Sequence, residues 1–124
     1  MICIPILGKT EAAAIRAIEK SARRCHMIEL RMDLIPGGSL KRLIGASRAA
    51  SPALKVLVTN RIAAQSGKMA ISKKSGRQVQ PPGDAMENSS DAERERMAML
   101  QEAVALGCDY VDCELDTAET LRHK

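Results

Sequence analysis

The chain has 124 residues, which suffice for one ordinary domain and are too few for two. Hydrophobic residues make up 45% of it, so a packed core is possible, but Tyr110 is the only aromatic residue. This disfavours nucleic-acid surfaces, which stack bases on aromatic rings, and the net charge of +4 at pH 7 is equally compatible with an anionic small molecule as the ligand.

The cysteines and the start of the chain indicate a cellular compartment. No two cysteines have CxxC spacing, and most lie in apolar, strand-like segments, which is typical of reduced, buried thiols. The opening MICIPILGK lacks the basic region of a signal peptide, and no segment reaches the about 20 apolar residues that a membrane helix needs. We therefore predict a cytoplasmic protein without a membrane segment or a disulfide framework. The four cysteines are Cys3, Cys25, Cys108 and Cys113.

Short apolar segments alternate with helical segments along the first half of the chain. Thr10 is a good N-cap for the first helix, and basic residues near its end suit the helix macrodipole. The predicted strands are 2–6, 26–33 and 54–61, and the predicted helices are 10–24 and 39–49.

Residues 65–90 are polar and contain two adjacent prolines, which predicts a long loop. The loop ends in a capping box formed by Ser90 and Glu93, so we predict that the third helix spans 91–106 and that a fourth strand spans 109–116. The side chains of this helix predicted to face inward are Met97, Leu100, Val104 and Leu106.

This alternation of strands and helices predicts an α/β fold with about four parallel strands and flanking helices. Charges gather where those strands end, although the interior of a parallel sheet is normally apolar. At the carboxyl ends of parallel strands they would form a polar pocket, in which arginines grip a carboxylate and acids accept hydrogen bonds from hydroxyls. A structural ion-pair network without a ligand predicts the same pattern, and spacing alone leaves both open. The strand-end residues are Glu29, Arg31, Asp33, Asn60, Arg61, Asp112, Glu114 and Asp116.

The sequence contains residues for two other kinds of site. The acids Glu29, Asp33, Asp112 and Glu114 could hold Mg²⁺, but the interleaved arginines would repel the ion, so we predict no metal. The loop also contains a basic cluster that could bind an anionic polymer, although it lacks the GxxxxGK[ST] phosphate loop. This cluster consists of Lys68, Lys73, Lys74 and Arg77.

Four motifs in order, ICIPILGKT, MIELRMDLI, LVTNR and LGCDYVDCELD, resemble type I 3-dehydroquinate dehydratase. The resemblance implies a (β/α)8 TIM barrel that converts 3-dehydroquinate to 3-dehydroshikimate in the shikimate pathway of aromatic amino acid biosynthesis. It also implies no cofactor, because a lysine forms a Schiff base with the substrate and a histidine is the general acid–base.

The resemblance assigns roles to individual residues. Glu29, Arg31 and Arg61 match residues that bind substrate, and Asp112 and Glu114 match the acidic pair that supports the histidine and the lysine. Gln65 stands where the family has a glutamate, so it can hydrogen-bond but holds no charge to tune the histidine.

In that family the histidine and the lysine lie on the fifth and sixth strands, beyond the four strands found here. We therefore expect residues 1–124 to form a single N-terminal half-barrel with a long polar loop at 65–90, lyase-like in its binding site but inactive alone. To cover the open edges of its sheet, we expect a homodimer or a complementing C-terminal half. The alternative is a non-catalytic module that binds small acids.

Overall fold

The computed structural model describes residues 1–61 and 85–113, and for residues 85–90 it describes the backbone only. Within these residues every helix is too short or too polar to cross a membrane. The elements in chain order are β1 (Cys3–Ile6), α1 (Glu11–Ser21), β2 (Met27–Arg31), a short 3-10 turn (Met32–Leu34), α2 (Leu40–Ala50), β3 (Lys55–Thr59), α3 (Ala85–Ala105) and β4 (Tyr110–Asp112).

The four strands form one sheet in the order β1-β2-β3-β4, and every neighbouring pair is parallel. This confirms the predicted α/β fold with parallel strands, and it is consistent with part of a TIM barrel. Because parallel strands need a crossover connection, α1 and α2 each link one strand to the next. All strands therefore end at the same edge of the sheet.

One face of the sheet carries the hydrophobic core. Side chains alternate along each strand, so every second residue points toward the helices. The strand residues that are fully buried on this face are Ile6, Ile28, Leu30, Val56 and Val58, and the helices contribute Ala14, Ile18, Leu43, Leu100 and Ala103. The opposite face, which none of the described helices covers, carries Met27, Glu29 and Arg31 from β2 and Lys55, Leu57 and Thr59 from β3.

The helix ends follow local sequence rules. The Thr10 Oγ1 accepts the Ala13 N–H at 3.2 Å, as the N-cap prediction requires. Helix α3 ends in a Schellman motif, in which Cys108 N–H donates to Ala103 and Gly107 N–H donates to Val104. Gly107 has φ +83°, a left-handed conformation in which a glycine is not strained.

A polar clamp holds the beginnings of β3 and β4 against the end of α2. Arg48 donates to the backbone oxygens of Leu54 and Gly107, and its Nη2 lies 2.9 Å from Oδ2 of Asp109. The same Asp109 oxygen accepts the Val56 N–H at 2.9 Å. Burial alone would raise the pKa of Asp109, but the hydrogen bonds from Val56 and Arg48 outweigh it and lower that pKa.

Helix α3 corrects two predictions. It begins at Ala85, so the end of the predicted loop at residue 90 and the capping box at Ser90 are wrong, because Ser90 lies inside the helix. Residues 65–84 of the predicted loop lie outside the described residues. Glu93 accepts a hydrogen bond from Arg96. Val104 is 60% exposed rather than inward, because the buried stripe runs through Arg96, Leu100 and Ala103. Leu100 is buried as predicted.

Candidate functional site

Three strands bring polar residues into one row across the uncovered face of the sheet. Arg31 at the end of β2 is the cross-strand partner of Thr59 at the end of β3, and Thr59 is the partner of Asp112 at the end of β4. Because side chains at partnered positions point to the same face, Arg31, Thr59 and Asp112 form a contiguous polar edge. The parallel register therefore produces the gathering of strand-end residues that the sequence pattern predicted.

Glu29 lies beside this row, earlier in β2 than Arg31. It lies two residues before Arg31, so the two share a face, and its Oε1 accepts a hydrogen bond from Thr59 Oγ1 at 2.7 Å. The bond fixes one carboxylate oxygen. The Glu29 side chain stays half-buried on the face of the sheet that the helices leave uncovered, where its carboxylate is an acceptor for hydroxyl or N–H donors.

Arg31 is held by Asp33 in a two-point ion pair. Its Nε lies 3.1 Å from Oδ1 and its Nη2 lies 2.7 Å from Oδ2. The two side chains are only 19% and 9% exposed. The hydrogen bonds that Arg31 donates to Asp33, with the nearby charges of Asp33, Glu29 and Asp112, raise the pKa of Arg31, so it stays a fixed cation.

Arg61 and Asp112 form a looser and more exposed pair. The guanidinium approaches one oxygen, Oδ2, through Nη2 at 3.1 Å and Nε at 3.4 Å. Their side chains are 44% and 39% exposed. Exposed pairs of this kind stabilise a protein by about 0–1 kcal/mol, so Arg61 can exchange Asp112 for another anion at little cost.

This arrangement fits a ligand that is both an acid and an alcohol. A carboxylate can take two N–H donors from Arg61, and the carboxylate of Glu29 can accept hydrogen bonds from hydroxyl groups. Among the described residues, no three histidine, cysteine or acidic side chains are close enough together to hold a metal ion.

The described residues cover part of the predicted site. Glu29, Arg31, Arg61 and Asp112 come together at one edge of the sheet. Gln65 and Glu114 lie outside the described residues, as does the basic cluster of the 65–90 segment.

Sequence reasoning missed two residues. Thr59 is fully buried and bonds Glu29, but a threonine in a strand is ordinary, and only its place two residues before Arg61 hinted at the shared edge. Arg96 is 2% exposed in α3, and its Nε donates to Glu93 at 3.0 Å. In a polar sequence such as SSDAERERM, nothing distinguishes Arg96 from the exposed charged residues around it, so its burial cannot be predicted.

A comparison with protein families supports the resemblance noted in the sequence. The family model described as type I 3-dehydroquinase matches residues 2–124. A search of curated proteins found no match.

Proposed function

Because this chain belongs to the type I 3-dehydroquinase family, we propose that the edge formed by Glu29, Arg31, Arg61 and Asp112 binds a small polyhydroxy acid of the 3-dehydroquinate kind. One observation carries the proposal: the parallel register brings Arg31, Thr59 and Asp112 into a single row, next to Arg61 and Glu29.

Arg61 is the residue that takes the ligand's carboxylate. Its present partner Asp112 is exposed and holds it through one oxygen, whereas Arg31 is bound at two points by the less exposed Asp33. Glu29 accepts a hydrogen bond from a ligand hydroxyl, and the fixed cation Arg31 neutralises the acids around it.

We propose further that residues 1–124 bind this ligand without dehydrating it. Schiff-base chemistry needs a lysine at the carboxyl edge of the sheet, and Lys55 is the only lysine in the described strands. It begins β3, about 13 Å along the strand from Thr59, and its Nζ lies 3.3 Å from Asp109. His26, just before β2, lies at that same far end and accepts the Ile2 N–H through Nδ1.

Calorimetric titration with quinate tests the binding proposal. We expect wild-type protein to bind quinate, and Arg61→Ala to weaken binding at least about tenfold because a charged hydrogen-bond donor is lost. Arg94→Ala is the matched control, since it removes an arginine from an exposed ion pair on α3 without touching the site. Equal affinities of wild type and Arg61→Ala would contradict the assignment of Arg61.

An ultraviolet assay tests the absence of catalysis. With 3-dehydroquinate as substrate, we expect no growth of the conjugated-enone absorbance above the buffer rate. Borohydride treatment with substrate should leave the protein mass unchanged, because no imine forms. A reduced covalent adduct would disprove the proposal and would identify the lysine by peptide mapping.

The sheet edges support a proposal about assembly. Within residues 1–61 and 85–113, the sheet ends at β1 on one side and at β4 on the other, and open edges favour pairing with another chain. We propose that two copies associate, or that a C-terminal half of the same family completes the sheet. Sedimentation velocity distinguishes these: the dimer forms from this chain alone, the complement only on mixing. A monomer that stays folded alone and binds no added half would contradict both.

The cysteines support a reducing compartment, and we propose that the protein is cytoplasmic. All four are free thiols. Burial raises the pKa of the Cys25 and Cys108 thiols, so both remain protonated and weakly reactive at neutral pH.

A further inference from the structure

Thr59 is the one polar strand residue that is fully buried at the candidate site. Its side chain is 0% exposed, and its Oγ1 lies 2.7 Å from Oε1 of Glu29. It is also the cross-strand partner of Arg31 on one side and of Asp112 on the other. Thr59 is therefore joined to three members of the site, one by a side-chain hydrogen bond and two by strand pairing.

A threonine in this position can hold a neighbour still. Its branched Cβ restricts χ1, and β3 lies in the middle of the sheet with a partner strand on each side, so the hydroxyl has a fixed place. Glu29 has a longer side chain, with free rotation about several bonds and an exposed face. The hydrogen bond therefore transfers the rigidity of the sheet to a carboxylate that would otherwise sample several rotamers.

We propose that Thr59 is a positioning residue: its hydroxyl orients the Glu29 carboxylate so that the second oxygen meets a hydroxyl group of the bound polyhydroxy acid. This inference rests on the proposed function, since it concerns the same ligand. Thr59 itself need not touch the ligand, because its hydroxyl proton is used by Glu29. Without the hydroxyl, Glu29 stays on the strand but its side chain samples several rotamers. The affinity for the ligand then falls, because binding has to fix that side chain at a cost in entropy.

Two substitutions separate this role from simple packing. Thr59→Val keeps the shape of the side chain and removes the hydroxyl, whereas Thr59→Ser keeps the hydroxyl and removes a methyl group. If orientation of Glu29 is what matters, quinate affinity falls about tenfold in Thr59→Val, as for loss of a hydrogen bond to a charged group, and stays within about twofold of wild type in Thr59→Ser. If packing is what matters, the order is reversed.

A double-mutant cycle with Glu29→Ala tests whether Thr59 acts through Glu29. We expect Thr59→Val to cost no further affinity for quinate in the Glu29→Ala background, because the carboxylate that it orients is absent. Thermal unfolding of each variant confirms that it is folded, and Thr59→Ala replaces Thr59→Val if the valine variant does not fold. Equal quinate affinities of wild type and Thr59→Val, or additive losses in the cycle, would overturn the inference.

The experiment separates this inference from the function beneath it. If folded wild-type protein does not bind quinate, the proposed function fails and the role of Thr59 fails with it. If wild type binds and the loss of the Thr59 hydroxyl has no effect, only the positioning role is overturned.

Discussion

The guanidinium of Arg61, just after β3, holds the carboxylate of Asp112, at the end of β4, through a single oxygen at 3.1 and 3.4 Å. The arginine proposed to take the ligand's carboxylate is thus already occupied by a carboxylate of the chain. Asp112 takes the Nε and Nη2 donors of Arg61, so a ligand carboxylate that binds these donors as proposed competes with it. This makes the strength of the pair a determinant of affinity.

We expect Asp112→Asn to bind quinate about threefold more tightly than wild type, because an exposed ion pair contributes up to about 1 kcal/mol. Calorimetric titration measures the change. Asp91→Asn is the control: it raises the net charge by the same amount, but its partner is Arg94 on α3. Weaker binding by Asp112→Asn would instead make Asp112 a direct ligand contact.

The Asp109 clamp should contribute strongly to stability. Asp109 accepts hydrogen bonds from Val56 N–H, Arg48 and Lys55, and its side chain is only 19% exposed. We expect Asp109→Ala to lower the free energy of unfolding in urea by about 2 kcal/mol, because the Val56 N–H and Arg48 lose their acceptor. Asp91→Ala, at an exposed position, should change it by less than about 0.5 kcal/mol. If Asp109→Ala also changed the free energy of unfolding by less than about 0.5 kcal/mol, the clamp would not be needed for stability.

The same carboxylate gives stability a pH dependence. The pKa of Asp109 in the folded protein is below the ordinary aspartate value of about 3.9. A lowered pKa means that the stabilisation is complete above the unfolded value and is lost as pH falls through the folded value. Glu11, whose pKa is lowered by the Ser39 N–H and then by Arg42, acts in the same direction.

Urea unfolding from about pH 6 to about pH 2 should show this loss, and Asp109→Asn should flatten part of it. The variant is less stable at neutral pH, so the two curves should converge in acid. Parallel curves over the whole range would mean that Asp109 titrates alike in the folded and unfolded chains.

Two glycines should respond oppositely to alanine. Gly45 lies inside α2 with open space where an added Cβ would lie, so Gly45→Ala should stabilise the protein by about 0.5–1 kcal/mol through helix propensity. Gly107 has φ +83°, so Gly107→Ala should destabilise it by about 1–2 kcal/mol. Urea unfolding of both variants measures the two changes, and a gain for Gly107→Ala would contradict the left-handed turn.

Local signals were enough to predict much of the fold. Thr10 was recognisable as an N-cap because capping depends on a few adjacent residues, and alternation of strands and helices was enough to predict parallel pairing. The beginning of α3 at Ala85 could not be predicted in this way. Ser90 and Glu93 satisfy the capping-box pattern, and the sequence does not say whether the helix uses it.

The candidate site shows the same division between local and long-range information. Period-2 spacing placed Glu29 and Arg31 on one face, since strand geometry alone decides this. The bond from Thr59 to Glu29 spans 30 residues of sequence and depends on the register of two strands. The pairing of Arg61 with Asp112 likewise joins residues that are 51 positions apart in the sequence, whereas Arg31 and Asp33 are only two positions apart.

The strands of this sheet lie side by side in the order in which they are synthesised. In a tandem gene duplication, the first strand of the second repeat would therefore lie beside the last strand of the first repeat. The order of the strands and the type of connection between them would not change. Pro5 on β1 has no N–H to donate to that neighbouring strand, so the pairing of the two strands would depend on the other residues of β1. The sheet could thus be extended by a repeat, but the strand pairing between the two repeats would have one backbone hydrogen bond fewer than it would without Pro5.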